Sequence, residues 1–216
     1  MLYSRYGRFV ALGAFVLVSC LHLLWKKNKN ITKSLLLPAL LLYYLTASEA
    51  PMPTAAAALA ASWLGDVLLE KSGIKWFTAG GIAFMLSHLL FIITYSLKTD
   101  FSAVKPAIII PAAMAYCAVS AVTINSIAPS VQKNLHFPLF LYLLFNSAMN
   151  TFALMHLTAD ARMPSAVIFI GAILFFISDN CLFIECFHEK KPDLFYPVMV
   201  TYIAGEFLII QGIIML

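Results

Sequence analysis

Residues 164–187 read PSAVIFIGAILFFISDNCLFIECF. At about 1.5 Å of rise per residue, a helix of this length crosses the roughly 30 Å hydrocarbon core of a bilayer. The run is almost wholly apolar as far as Ile177 and then places Ser178 and Asp179 inside it. A carboxylate at the bilayer centre costs at least about 2.5–3.5 kcal/mol, even on the lenient insertion scale. A chain that keeps one needs a partner or a water-filled cavity for it. The stretch therefore predicts a helical membrane protein, and it predicts the kind of residue that marks the working site.

Seven similar runs flank it, at 7–25, 33–47, 53–70, 76–97, 106–124, 137–158 and 194–216. Short polar or proline-bearing joints separate them. The expected fold is all-α: a polytopic membrane protein of about eight transmembrane helices in one bundle, a single transmembrane domain over 1–216. The run at 33–47 is short and carries Pro38, and Pro51 and Pro53 mark the joint after it. Hydrophobic residues make up 62% of the chain and charged ones 11%, against roughly 45–50% and 25% in soluble domains. No polar stretch is long enough to fold as a second, soluble domain.

Arg5 and Arg8 ahead of the apolar run 9–25 give the start of the chain the look of a signal peptide. That run reaches the minimum length of a span, lacks a small-x-small cleavage site and ends in Lys26-Lys27-Asn28-Lys29, so a first membrane helix is expected. The formal charge of +4 comes from 14 basic and 10 acidic residues. The basic residues stand between apolar runs, the pattern of positive-inside topology and not of a nucleic-acid footprint. With eight crossings, one face holds Lys26, Lys27, Lys29, Lys33, Lys71, Lys75, Lys133, Lys190 and Lys191, and the other Arg5, Arg8, Lys98, Lys105 and Arg162. The larger group marks the cytoplasmic face, with external termini and, in a bacterium, residence in the cytoplasmic (inner) membrane. Cys20, Cys117, Cys181 and Cys186 lie in apolar runs without ligand spacing and read as small packing residues.

The chain carries a faint internal echo. Leu64-Gly65-Asp66 resembles Ile177-Ser178-Asp179, and Ser87-His88-Leu89-Leu90 resembles Gly205-Glu206-Phe207-Leu208. A duplication of four helices would give a 4+4 arrangement of parallel halves related by an axis along the membrane normal.

Asp66, Asp179 and Glu206 are the carboxylates well inside apolar runs, Glu70 and Glu185 stand nearer helix ends, and His88 is the deepest histidine. Measured from Lys71, Lys75, His188 and Asp193, Asp66 falls about 7 Å in, Asp179 about 13 Å, and His88 and Glu206 about 20 Å. Polar stripes recur at helical spacing: Ser62, Asp66 and Glu70; Asn146 and Asn150; Tyr202 and Glu206. Asn146, Asn150, Ser87 and Tyr202 read first as hydrogen-bonding glue between helices, while His88 suits glue or chemistry equally. No Lys or Arg lies inside an apolar run, so Asp66 and Asp179 are expected to lack a basic partner. Two carboxyls sharing one proton can serve as acid and base in a hydrolysis.

Other chemistries find little support. There is no GxSxG, P-loop or HExxH, and His22, His88, His136, His156 and His188 are scattered, so neither metal nor cofactor is expected. On the residues alone, a small proton- or cation-coupled transporter or lipid carrier fits as well as a hydrolase. A membrane binding protein whose polar interior is only packing glue is a third reading.

Asp66 after Gly65, the stretch Gly80-Gly81-Ile82-Ala83-Phe84-Met85-Leu86-Ser87-His88, and the stretch Gly171-Ala172-Ile173-Leu174-Phe175-Phe176-Ile177-Ser178-Asp179 together resemble the lysoplasmalogenase, or YhhN-like, family. Lys33 with Pro38 fits its early Lys-Pro motif, although Ser34 follows the lysine where proline is usual. The resemblance runs from about residue 33 to the C-terminus. It implies eight transmembrane helices and hydrolysis of the vinyl ether bond of lysoplasmalogens, releasing a fatty aldehyde and glycerophosphoethanolamine or glycerophosphocholine, with no metal. It makes Asp66 and Asp179 the acid and base and His88 a cavity-lining residue. The substrate is then a lysophospholipid within the bilayer, with Lys33, Asn146, Asn150, Tyr202 and Glu206 as further contacts.

Overall fold

The computed structural model describes residues 2–25 and 29–216. Lys26 and Lys27, which enter the orientation count, lie outside the described residues, as does the side chain of Arg5. The helices are α1 (Leu2–Leu24), α2 (Lys29–Ala47), α3 (Pro53–Leu69), α4 (Ile74–Ser96), α5 (Pro106–Ile127), α6 (Lys133–Ala159), α7 (Met163–Phe187) and α8 (Phe195–Ile214). Single 3-10 turns occupy Phe101–Ala103 and Ala128–Ser130, and no strand occurs among the described residues.

Proline sets several starts. Pro53, Pro106 and Pro164 stand in the first turns of α3, α5 and α7, where the missing N–H would have had no helical partner. Pro38 and Pro138 instead lie inside α2 and α6, which begin earlier than the hydrophobic runs suggest. Among the described residues six helices, α1 and α4 to α8, are long and apolar enough to cross a membrane. The other two form a less regular pair: α3 is apolar but only 17 residues long, and α2 opens with Lys29, Asn30 and Lys33. The outward surfaces suit lipid, with Val10 71% and Val122 69% exposed. Backbone groups in such a solvent must be satisfied within the segment, which is why the fold is helical throughout.

By their contacts the residues divide into two compact units, Met1–Thr94 and Tyr95–Ile214. In the first, α3 and α4 run antiparallel in a steady register. Thr94 donates to Thr54 at 2.7 Å, Ser62 and Ser87 share a hydrogen bond of 2.7 Å, and Gly65 and Gly80 let Phe84 and Leu69 close the gap. Pro38 has no N–H to offer the carbonyl of Ser34, four residues earlier. Trp63 fills that vacancy across the helix pair, donating its indole N–H to the Ser34 carbonyl at 2.9 Å. The Met52 N–H donates to the Tyr44 hydroxyl at 2.6 Å and fixes the joint between α2 and α3. His22 and Thr32 connect α1 to α2 at 2.9 Å.

In the second unit α7 and α8 meet backbone to backbone. A Cβ on Gly171 would lie 2.7 Å from the nitrogen of Ile209 and 2.8 Å from the oxygen of Gly205, and Gly212 meets Pro164 and Ile168 as closely. Small residues permit the dispersion contacts that hold helices together when lipid supplies no hydrophobic drive. Ser120 and Ser147 tie α5 to α6 at 3.0 Å, and Thr123 donates to Asn180 of α7 at 2.7 Å. The cysteines are not the buried packing residues their setting suggests: Cys20, Cys117 and Cys186 are exposed and Cys181 is half-buried.

The α7 and α8 contact makes a sharp prediction. Gly171→Ala should destabilise the protein by about 1–3 kcal/mol through overpacking. Gly13→Ala, where a Cβ meets nothing within 4 Å, should be neutral or slightly stabilising. Thermal unfolding in detergent measures both.

Candidate functional site

Each unit builds a polar centre around a buried aspartate on its third helix. In the first unit, Gly65 has no Cβ, so the ring of Phe84 lies against α3 where a Cβ would be only 2.5 Å away. Asp66 is thereby enclosed and is 1% exposed. Its Oδ1 is 3.3 Å from the ammonium of Lys33, whose side chain keeps 22% exposure. This corrects the expectation that Asp66 has no basic partner. Lys33 stands one turn inside α2, and its aliphatic stem carries the charge to the carboxylate while part of it remains near the surface. The sequence hid the pair because a lysine at the start of an apolar run reads as a topology signal.

One turn before Asp66, Ser62 makes its hydrogen bond with Ser87 of α4. His88, the next residue on α4, is fully buried. One turn after Asp66, Glu70 is half-buried and lies within the electrostatic reach of both Lys33 and Asp66. The predicted stripe of Ser62, Asp66 and Glu70 is therefore a real feature of this unit, with Lys33 attached to it.

In the second unit Asp179 is 3% exposed and is held by α6. Its Oδ2 accepts from the Tyr142 hydroxyl at 2.9 Å and from the Asn146 amide at 2.8 Å. Asn150 in turn donates to the Asn146 side-chain oxygen at 3.1 Å and to its backbone oxygen at 3.0 Å. The direction of each bond is self-consistent: the Asn146 amide donates to the carboxyl and its oxygen accepts from Asn150. Residues 142, 146 and 150 succeed one another at one helical turn, so one face of α6 supplies these hydrogen bonds. Asn146 and Asn150 were legible from that spacing; Tyr142 was not, although the same spacing extended one turn back reaches it.

Glu206 of α8 is fully buried and interacts electrostatically with Tyr95, a residue that sequence reasoning did not select. Tyr202, one turn before it, is buried with its ring edge-on to Phe175 at 5.5 Å. The neighbour of Asp179, Ser178, donates to the Val198 carbonyl at 2.9 Å and fastens α7 to α8. Among the described residues no three His, Cys, Asp or Glu side chains gather to hold a metal ion.

A multi-pass α-helical membrane protein with enclosed carboxyls on α3, α7 and α8 is the class these features define. The profile of the YhhN family matches residues 28–213. The chain is 34% identical over 157 residues to lysoplasmalogenase from Mycobacterium bovis (strain ATCC BAA-935 / AF2122/97), covering 72% of this chain and 58% of that protein. The lysoplasmalogenase of Mycobacterium tuberculosis (strain CDC 1551 / Oshkosh) gives the same values. The chain belongs to the YhhN family. It spans less than two thirds of the length of these curated relatives, and no solved structure matches it.

The Lys33 and Asp66 pair yields an asymmetric prediction. Lys33→Met removes the cation beside an enclosed carboxylate and should destabilise by about 3–5 kcal/mol. Asp66→Asn leaves a lysine that can turn toward the interface, and should cost less. The double variant should recover most of the Lys33→Met loss. Additive losses in detergent unfolding would show that the two groups do not depend on each other.

Proposed function

We propose that this chain is a lysoplasmalogenase-like membrane hydrolase that cleaves the vinyl ether bond of lysoplasmalogens. The products are a fatty aldehyde and a glycerophosphoethanolamine or glycerophosphocholine. The observation that carries the reading is the enclosed Asp179 held by Tyr142 and Asn146, in a member of a family whose relatives bear the name lysoplasmalogenase.

The chemistry asks for a proton donor and for a negative charge. Protonation of the vinyl ether β-carbon creates an oxocarbenium ion; water adds to that cation and loses a proton to give a hemiacetal. The hemiacetal then breaks its carbon–oxygen bond to the glycerol, yielding aldehyde and alcohol. Asp179, whose two named donors are neutral, is assigned as the proton donor and, once ionised, as the acceptor of the proton from water. Asp66, paired with Lys33, is assigned as the second catalytic carboxylate. Tyr142, Asn146 and Asn150 orient the donor, so their removal weakens the geometry without removing the acid.

The setting suits a single-chain lipid, whose tail stays in the hydrocarbon while its headgroup remains at the interface. His88, Tyr202, Glu206 and Lys33 are assigned as substrate contacts, and in a bacterium the location is the inner membrane. A carrier is the competing reading, favoured by the division into two four-helix sets that each hold an enclosed aspartate on the third helix.

Purified protein in nanodiscs should release aldehyde from a lysoplasmalogen and none from the matched alkyl ether, which cannot form the oxocarbenium ion by protonation. Tyr142→Phe should lower turnover by about tenfold, short of the 10²–10⁴-fold expected from loss of a general acid. Accumulation of intact lipid across a liposome membrane without aldehyde would replace the hydrolase with the carrier.

A further inference from the structure

Glu70 closes α3 one turn beyond Asp66, and the proposed chemistry leaves it unused. Its N–H donates to the Asp66 carbonyl at 3.3 Å, continuing the helical pattern. Its Oε1 is enclosed and takes no hydrogen bond among the described residues. Lys33 serves it only in part, because the same ammonium is 3.3 Å from the Asp66 carboxylate and acts on Glu70 through the field. One lysine is thus shared by two carboxylates.

The end of a helix adds to this imbalance. The last carbonyls of α3 carry a partial negative charge that favours a cation. Lys71, the next residue, has its ammonium 4.1 Å above the ring of Trp76, a second positive charge just past the end of the helix. The assembly contains an acceptor for a cation and, within a few residues, ammonium groups for an anion. A ligand that carries both charges on a short spacer matches it better than either ion alone.

We propose that the C-terminal end of α3 is a subsite for the zwitterionic headgroup of a single-chain phospholipid, in which Glu70 takes the ammonium and Lys33 the phosphate. The choice of a single-chain lipid rests on the hydrolase reading. An ammonium at the open side of this half-buried carboxylate forms a charge-assisted hydrogen bond with it. With the ammonium on Glu70, Lys33 is divided between Asp66 and the phosphate rather than between two carboxylates. Glu70 then determines which headgroups bind well and has no part in bond cleavage.

Binding measured without turnover tests this. Full-length protein in nanodiscs is titrated with an alkyl-ether lysophosphoethanolamine, with an alkyl lysophosphatidate that has the phosphate but no ammonium, and with soluble glycerophosphoethanolamine. Glu70→Gln should weaken the ethanolamine lipid by about tenfold and leave the lysophosphatidate within about twofold. A thermal midpoint close to that of the parent protein confirms that the variant is folded. Equal loss for both lipids, or no loss for either, overturns the proposal. Binding of the soluble headgroup as tight as that of the lipid overturns the lipid assignment. Aldehyde release from the vinyl ether substrate is read separately. A protein that binds in the expected pattern yet releases none keeps the subsite and loses the hydrolase.

Discussion

A carboxylate placed at membrane depth has to be compensated by its own protein, since the hydrocarbon around it offers neither water nor charge. Much of the architecture can be read as compensation of this kind. Asp66 is given a cation, delivered along the stem of Lys33 from the preceding helix. Asp179 is given two neutral donors from one face of α6. The two solutions differ in chemistry. An ion pair supplies a compensating charge, whereas the hydrogen bonds from Tyr142 and Asn146 fix the orientation of the carboxyl. That contrast is the basis for assigning the two groups different work.

Close helix packing makes the compensation possible. Lys33 can reach Asp66 because α2 and α3 are locked by the indole of Trp63 on the Ser34 carbonyl that Pro38 leaves without its helical donor. Pro38 is therefore more than a break in an apolar run. Its missing N–H creates an acceptor, and the acceptor positions the helix that carries Asp66. In the other unit, Gly171, Gly205 and Gly212 bring the α7 and α8 backbones into contact, and Ser178 secures the turn beside Asp179. The local sequence around each aspartate reflects this division: small residues for approach, a polar group for anchoring, and the acid itself.

Most of the helical architecture was legible because lipid as solvent imposes long apolar runs with polar joints, and the observed helices follow those runs closely. The shorter pair was less so. Pro38 and the lysines at its start kept α2 from looking like a clean span, and these same residues turn out to serve the Asp66 centre. The stripe of Asn146 and Asn150 could be read from helical spacing, because the partners lie on one face of one helix. Tyr142 could have been added by the same rule. The Lys33 pair could not, since it joins two helices whose register depends on an indole bonded to a backbone carbonyl. Tyr95 was missed for a related reason: a tyrosine near the end of an apolar helix reads as an interfacial anchor, while here it is buried and close to Glu206.

The central claim is that the two enclosed aspartates carry out the reaction, and it is tested by turnover of lysoplasmalogen with each one neutralised in place. Asp66→Asn and Asp179→Asn, both verified as folded by thermal unfolding, should each lower aldehyde release by about 10²–10⁴-fold, the range expected from loss of a positioned acid or base. Turnover retained in both variants would contradict the account and return these carboxyls to a structural role.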